Sequence, residues 1–247
     1  MSTPSDVEFQ PWVKRFDAAG AAGSTVIFPH AGGAAAAYRT LAKALADKGV
    51  NAFIVQYPQR ADRLAHPAVD GVDELARQLF EAGDWGRVGA LSLFGHCMGA
   101  VVAFEFARLA EEHNIAVDRL WASAGQAPST VPEVLPLPST DTDVMADMVD
   151  LGGTDPRLLE DEDFAELLMM AVKSDYRALS GYSCAPDARI SADIHAIGGT
   201  RDHRIRPHWL QNWASHTTGG FTLSHFEGGH FYLNDHLDAV TELVSRR

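Results

Sequence analysis

Phe94-Gly95-His96-Cys97-Met98-Gly99-Ala100 is the stretch on which the reading of this 247-residue chain turns. An apolar run over 88–94 leads into it, and an apolar helix is predicted beyond it, from about 98 to 110. A nucleophile set between two glycines at a strand-to-helix turn forms a nucleophile elbow: the turn exposes the side chain, and the glycines leave room for neighbouring backbone. Serine usually stands at the centre. Here the residue is Cys97, so an acyl group accepted there is held as a thioester rather than an oxygen ester.

Outward from the elbow, strand-like and helix-like segments alternate. Strands are predicted at 25–29, 50–57, 120–124, 190–197 and 221–226, besides 88–94. Helices are predicted at 34–48, 72–82 and 207–216, and from 231 towards 244, besides 98–110. This rhythm argues for an α/β fold: a mostly parallel central sheet, right-handed crossovers and helices on both faces. With the elbow at a strand end, the expectation is an α/β-hydrolase fold. The rhythm breaks at Gly125-Gln126, where Pro128, Pro132, Pro136 and Pro138 forbid a regular helix. An acidic helical region follows over 141–181, broken at Gly152-Gly153-Thr154-Asp155-Pro156, with Phe164, Leu167, Leu168 and Ala171 at helical spacing. We therefore expect one domain over 1–247, with a lid inserted at about 130–185. Trp209 and Trp213, one turn apart, read as core.

The formal net charge of −13 argues against a nucleic-acid partner and against an anionic membrane surface. No apolar run approaches the ~20 residues of a membrane span. Residues 1–10 carry Asp6 and Glu8 and lack the apolar core of a signal peptide, so a cytoplasmic protein with Cys97 and Cys184 as free thiols is expected. Arg201, Arg204 and Arg206 form the densest basic cluster, read as a solvated loop. No cofactor and no metal are expected: His225 and His230 lie five apart across a strand end rather than on one helical face. A monomer is expected.

Three residues fall just past predicted strand ends in the order nucleophile, acid, histidine: Cys97, Asp202 and His230. Cys97 would attack as a thiolate, which a helix start and a nearby imidazole both stabilise. His230 would take and return the proton, and Asp202 would fix its tautomer. The backbone N–H groups of Ala31, in His30-Ala31-Gly32-Gly33, and of Met98 are the candidate oxyanion donors. His195, His203, His225 and His236 read as structural or solvent-facing, and His96 as structural.

At these residues the chain resembles the type II thioesterases, the free-standing editing enzymes of polyketide and non-ribosomal peptide synthesis. The resemblance covers nearly the whole length. It includes Pro29-His30-Ala31-Gly32-Gly33, Tyr57-Pro58-Gln59-Arg60-Ala61-Asp62-Arg63, Ser123-Ala124-Gly125-Gln126-Ala127-Pro128, Leu151-Gly152-Gly153-Thr154, the stretch 178–182, Gly198-Gly199-Thr200-Arg201-Asp202 and Glu227-Gly228-Gly229-His230-Phe231. It implies an acyl thioester on the phosphopantetheine arm of an acyl or peptidyl carrier protein as substrate. Synthase-embedded relatives typically carry their acid near Ala124; the lack of a carboxylate over 123–128 favours Asp202 and a free-standing enzyme. Cys97 departs from the family's serine. A reversible acyl-cysteine suits acyl or aminoacyl transfer between carriers as well as hydrolysis. A binding protein on a hydrolase scaffold and a small-molecule esterase are the other readings.

Overall fold

The computed structural model describes residues 9, 11–133, 136–154 and 156–246. Residues 1–8, and Asp155 in the expected break of the insertion, lie outside the described residues. The strands are β1 (Val13–Phe16), β2 (Gly23–Phe28), β3 (Val50–Val55), β4 (Leu91–His96), β5 (Val117–Ser123), β6 (Asp193–Gly199) and β7 (Phe221–Phe226). They form a single sheet in the order β1-β3-β2-β4-β5-β6-β7. Only β1 runs antiparallel to its neighbour. With helices on both faces, this is the α/β-hydrolase fold the alternation predicted.

Side chains along each central strand divide between two cores, as the two-residue strand period requires. Val26 and Phe28 join the core under helices α2 (Val72–Glu81) and α3 (Met98–Glu112), while Ile27 faces the core under α1 (Arg39–Asp47) and the last helix, Leu237–Val244. Phe53 and Val55 against Ala52 and Ile54 repeat the division on β3. A strand buried on both faces reads as a continuous apolar run, which is why β2 and β3 stand out in the sequence. Helix α3 is buried along most of its length, so its first turn is held rigidly below the ends of β2, β4 and β5.

Between β5 and β6 lie α4 (Asp141–Leu151) and α5 (Glu162–Ser180). Each begins on a side-chain cap: Thr140 accepts from the N–H of Asp143, and Asp161 from that of Phe164. Gly152 closes α4 in the left-handed conformation. The apolar positions of α5 split. Ala171, Val172 and Tyr176 are buried, whereas Phe164 and Leu167 remain 41% and 42% exposed. Only the later half of the helix rests on the body.

The sequence misses β1. Its residues Val13-Lys14-Arg15-Phe16 carry two charges, and the strand exists because β3 lends it a ladder at the sheet edge. β4 starts at Leu91 rather than at 88, because Gly89 takes φ +89° after a 3-10 turn over Trp85–Arg87. The helices expected over 34–48, 207–216 and 231–244 each contain a 3-10 turn, at Ala35–Tyr38, Asn212–His216 and Tyr232–Asn234. Trp209 and Trp213 are buried, as read from the sequence. Among the described residues no helix is long and apolar enough to cross a membrane.

Candidate active site

Cys97 sits between β4 and α3 with φ +56° and ψ −121°, a conformation that costs a non-glycine residue about 1–3 kcal/mol. The turn is held from outside. The N–H of Cys97 donates to the carbonyl of Ser123 at 2.8 Å, and its own carbonyl accepts from Ala100 at 3.1 Å. The flanking glycines are required by space. A Cβ on Gly95 would lie 2.2 Å from the Gly99 carbonyl oxygen, and one on Gly99 would lie 2.0 Å from that of Phe28.

Asp202 and His230 follow β6 and β7. Nδ1 of His230 is 2.9 Å from Oδ2 of Asp202, and both side chains are buried. A carboxylate only accepts, so Nδ1 carries the proton. The other carboxylate oxygen, Oδ1, accepts from the N–H groups of Arg204 and Ile205 at 2.9 and 3.2 Å, which fixes the acid in its loop. Nε2 of His230 is buried and meets no hydrogen-bond partner of good geometry, yet it lies close enough to Cys97 for the two to perturb one another. Burial pushes the Cys97 thiol up. The His230 imidazole, the N–H of Met98 and the charge of Arg204 outweigh burial and draw it below its ordinary value. Burial likewise opposes charge on His230, but Cys97 and Asp202 raise it. The shifts agree in direction: together the two groups favour a thiolate–imidazolium pair.

The two neighbouring histidines, His30 and His96, carry no charge. Burial, helped by the charges of His230 and Arg60, holds His30 down to about 3, and burial holds His96 well below the usual imidazole range. His96 hydrogen-bonds Ser123 Oγ at 2.8 Å, and Ser123 reaches the Tyr232 hydroxyl at 2.6 Å, so this histidine props the turn as expected. His195 meets Ser224 at 2.8 Å, His203 pairs with Asp150 at 2.7 Å, and His236 meets the Glu227 carbonyl at 2.7 Å.

Two cavities open on Cys97. One of about 130 Å³ is largely apolar, walled by Met98, Val101, Val131, Leu137 and Leu179, with Gln126 and Arg204 as polar points. A narrower one of about 40 Å³ runs between His30, Ala31, His230 and Phe231 on the body and Leu168, Val172 and Tyr176 of α5. The expectation of a solvated arginine loop holds for Arg201 and Arg206, which are exposed, and is corrected for Arg204, which is half-buried. Arg204 pairs with Asp147 of α4, which also accepts from the Tyr176 hydroxyl at 2.6 Å. Arg201 pairs with Glu227 at 2.7 Å, and Arg206 lies over the Trp209 ring. The sequence reading missed Asp175. Its signal was an acid on the apolar stripe of α5, between Val172 and Tyr176.

A hydrolase fold with an activated thiol at its elbow defines a class of acyl-transferring enzymes, and comparison with known proteins narrows it. Residues 25–247 match the family described as Thioesterase domain, and the chain belongs to that family. It is 66% identical over 98% of its length to Phenyloxazoline synthase MbtB of Mycobacterium tuberculosis, of which it spans 17%. It is 37% identical to Thioesterase PikA5 of Streptomyces venezuelae, covering 98% of this chain and 87% of that one. Among solved structures, the type II thioesterase BorB from the borrelidin biosynthetic cluster superposes with TM-score 0.83 at 37% identity, covering 95% of this chain and 96% of that one. Both free-standing and synthase-embedded arrangements therefore occur among its relatives.

Proposed function

We propose that this chain hydrolyses acyl thioesters from the phosphopantetheine arm of acyl or peptidyl carrier proteins in polyketide or non-ribosomal peptide synthesis, through an acyl-Cys97 intermediate. The observation that carries this is the activated Cys97 placed where an apolar cavity meets a narrow channel. The acyl group would occupy the larger cavity and the pantetheine arm the channel. Relatives from synthase pathways support the carrier-bound substrate, and two free thiols fit the cytoplasm.

In acylation the Cys97 thiolate attacks the carbonyl carbon. The N–H groups of Ala31 and Met98 receive the developing oxyanion. The carbon–sulfur bond to the arm breaks, and the His230 imidazolium gives its proton to the departing thiolate. In hydrolysis the neutral imidazole takes a proton from water as it attacks. The acid leaves, Cys97 regains its charge, and the thiolate–imidazolium pair is restored. Asp202 keeps Nε2 directed at the sulfur throughout.

The cavity volume sets the acyl class. A dry cavity of about 150 Å³ in another protein accepts benzene, so one of about 130 Å³ suits a group of roughly six carbons.

Cys97 itself favours a second reading. Acyl transfer from a pantetheine thiol to cysteine conserves the thioester, so the intermediate can return its acyl group to another thiol. Incubating a radiolabelled acyl carrier protein with the enzyme, with and without an unloaded second carrier, separates the two. Free acid in both tubes supports hydrolysis, and label on the second carrier supports transfer.

A further inference from the structure

We propose that Asp175 is a positioning residue for the candidate oxyanion loop: its carboxylate ties helix α5 to the 30–33 turn and thereby holds the Ala31 N–H on the acyl carbonyl at Cys97. This rests on the acyl-Cys97 reading given above and adds to it a residue 143 positions from the loop it holds.

Three of the four backbone N–H groups of the 30–33 loop are paired within the fold. That of His30 donates to the Tyr38 hydroxyl at 3.3 Å. That of Gly32 donates to Asp175 Oδ2 at 2.7 Å, and that of Gly33 to the His30 carbonyl at 2.9 Å. Only Ala31 has no acceptor among the described residues, although it lines the channel with Cys97 and His230. Ala31 is half-buried on the wall of that channel, so its open donor is within reach of a ligand oxygen beside the nucleophile, whereas its three neighbours are taken up by the fold.

The bond to Asp175 sets where that donor lies. Gly32 has φ +78°, and a Cβ there would lie 2.3 Å from Val172 Cγ2, one turn before Asp175 on the same face of α5. The loop thus meets the helix at two points, one packed and one hydrogen-bonded. Asp175 is buried and paired with Arg60, whose Nε donates to the Gly33 carbonyl at 3.1 Å and whose Nη1 donates to the Pro58 carbonyl at 2.5 Å. One ion pair therefore clamps α5, the 30–33 loop and the 57–60 loop together. A buried ion pair adds little stability over well-packed apolar side chains, so stability alone does not explain this one. Registry does, because it fixes the loop in one position. The same helix walls both cavities through Leu168, Val172, Tyr176 and Leu179, so the seat of the acyl chain and the polarising donor belong to one element.

The test compares two reactions at Cys97 in wild type and Asp175→Leu, which removes the acceptor that Asn would keep. Acylation by a short acyl N-acetylcysteamine thioester passes through an oxyanion. Alkylation by iodoacetamide is a displacement at carbon and forms none. Both are followed on the Cys97 peptide by rapid-quench mass spectrometry. Asp175→Leu is expected to slow acylation roughly 10- to 100-fold, short of the full loss of one oxyanion donor because the donor is displaced rather than deleted, while alkylation keeps the wild-type rate. Should Asp175→Leu not fold, the double variant Arg60→Met with Asp175→Leu leaves no buried charge unpaired and carries the same expectation. Wild-type acylation in the variant, or acylation and alkylation falling together, overturns the proposal. If wild type itself forms no acyl adduct at Cys97, the site reading fails instead.

Discussion

Nδ1 of His230 lies 2.9 Å from Oδ2 of Asp202, and neither side chain exposes more than 1% of its surface. The carboxylate therefore acts on the ring through an unscreened hydrogen bond and aims Nε2 at the space beside Cys97. A thiol ionises more readily than a hydroxyl, so it leans on the ring's charge more than on the acid behind it. His230→Ala is expected to lower kcat/KM for an acyl thioester roughly 10³- to 10⁴-fold, and Asp202→Asn only roughly 10- to 100-fold. Steady-state kinetics on both variants check the order; equal or reversed losses would count against it.

The two cysteines are shifted in opposite directions. Burial pushes the Cys184 thiol up, whereas the imidazole, the helix start and Arg204 bring Cys97 down. An acid drawn below its ordinary value keeps its anion as pH falls. The pH midpoint for iodoacetamide labelling, read peptide by peptide, should lie lower for Cys97 than for Cys184, and His230→Ala should raise the Cys97 midpoint. Matching midpoints in wild type would refute the ion pair.

His96 is buried and His30 half-buried, and both are uncharged. Both folded values lie below the ordinary 6.5, so between about 3 and 6.5 for His30, and below 6.5 for His96, the unfolded chain binds the extra proton. Stability must then fall as pH falls, by up to about 1.4 kcal/mol per pH unit for each such proton. His96→Asn removes one of them. Urea unfolding between pH 7 and 5 should show a shallower decline in this variant than in wild type; parallel curves would contradict the assignment.

Gly99 has no space for a methyl group, since a Cβ there would lie 2.0 Å from the Phe28 carbonyl and 2.6 Å from that of Pro29. Backbone on both sides cannot yield as a flexible side chain can. Gly99→Ala is expected to destabilise the protein by about 3 kcal/mol or more, seen as a lowered denaturation midpoint. An unchanged midpoint would mean the turn is looser than described.

The larger cavity makes a statement about chain length. Each buried methylene contributes about 0.8 kcal/mol, so kcat/KM should rise roughly fourfold per carbon until the cavity is full at about six carbons. Val101→Phe, which narrows its wall, should move that plateau to shorter chains. A profile that keeps rising to long acyl chains would show that the cavity is not the acyl seat.

Much of this molecule can be read along the chain, because its central strands are continuous apolar runs and its reactive residues sit beside glycines that local backbone geometry demands. Gly95 and Gly99 around Cys97, and Gly228 with φ +130° before His230, are such markers. What escapes the sequence depends on contacts between distant residues. β1 is charged and forms only against β3. Asp175 meets Arg60 across 115 positions, and Arg204 meets Asp147 across 57. The Arg204 pairing leaves no local trace, so that arginine reads as solvated, and Asp175 shows only as an acid on the apolar stripe of α5, with nothing nearby in the chain to name its partner.

The most direct measurement of the central claim is the mass of the protein caught during turnover. Mixed with an acyl thioester and quenched in acid within milliseconds to seconds, the chain should gain one acyl group, mapped by digestion to the peptide containing Cys97, and Cys97→Ala should gain none and turn over nothing. An acyl group on any other residue, or activity persisting in Cys97→Ala, would contradict the account.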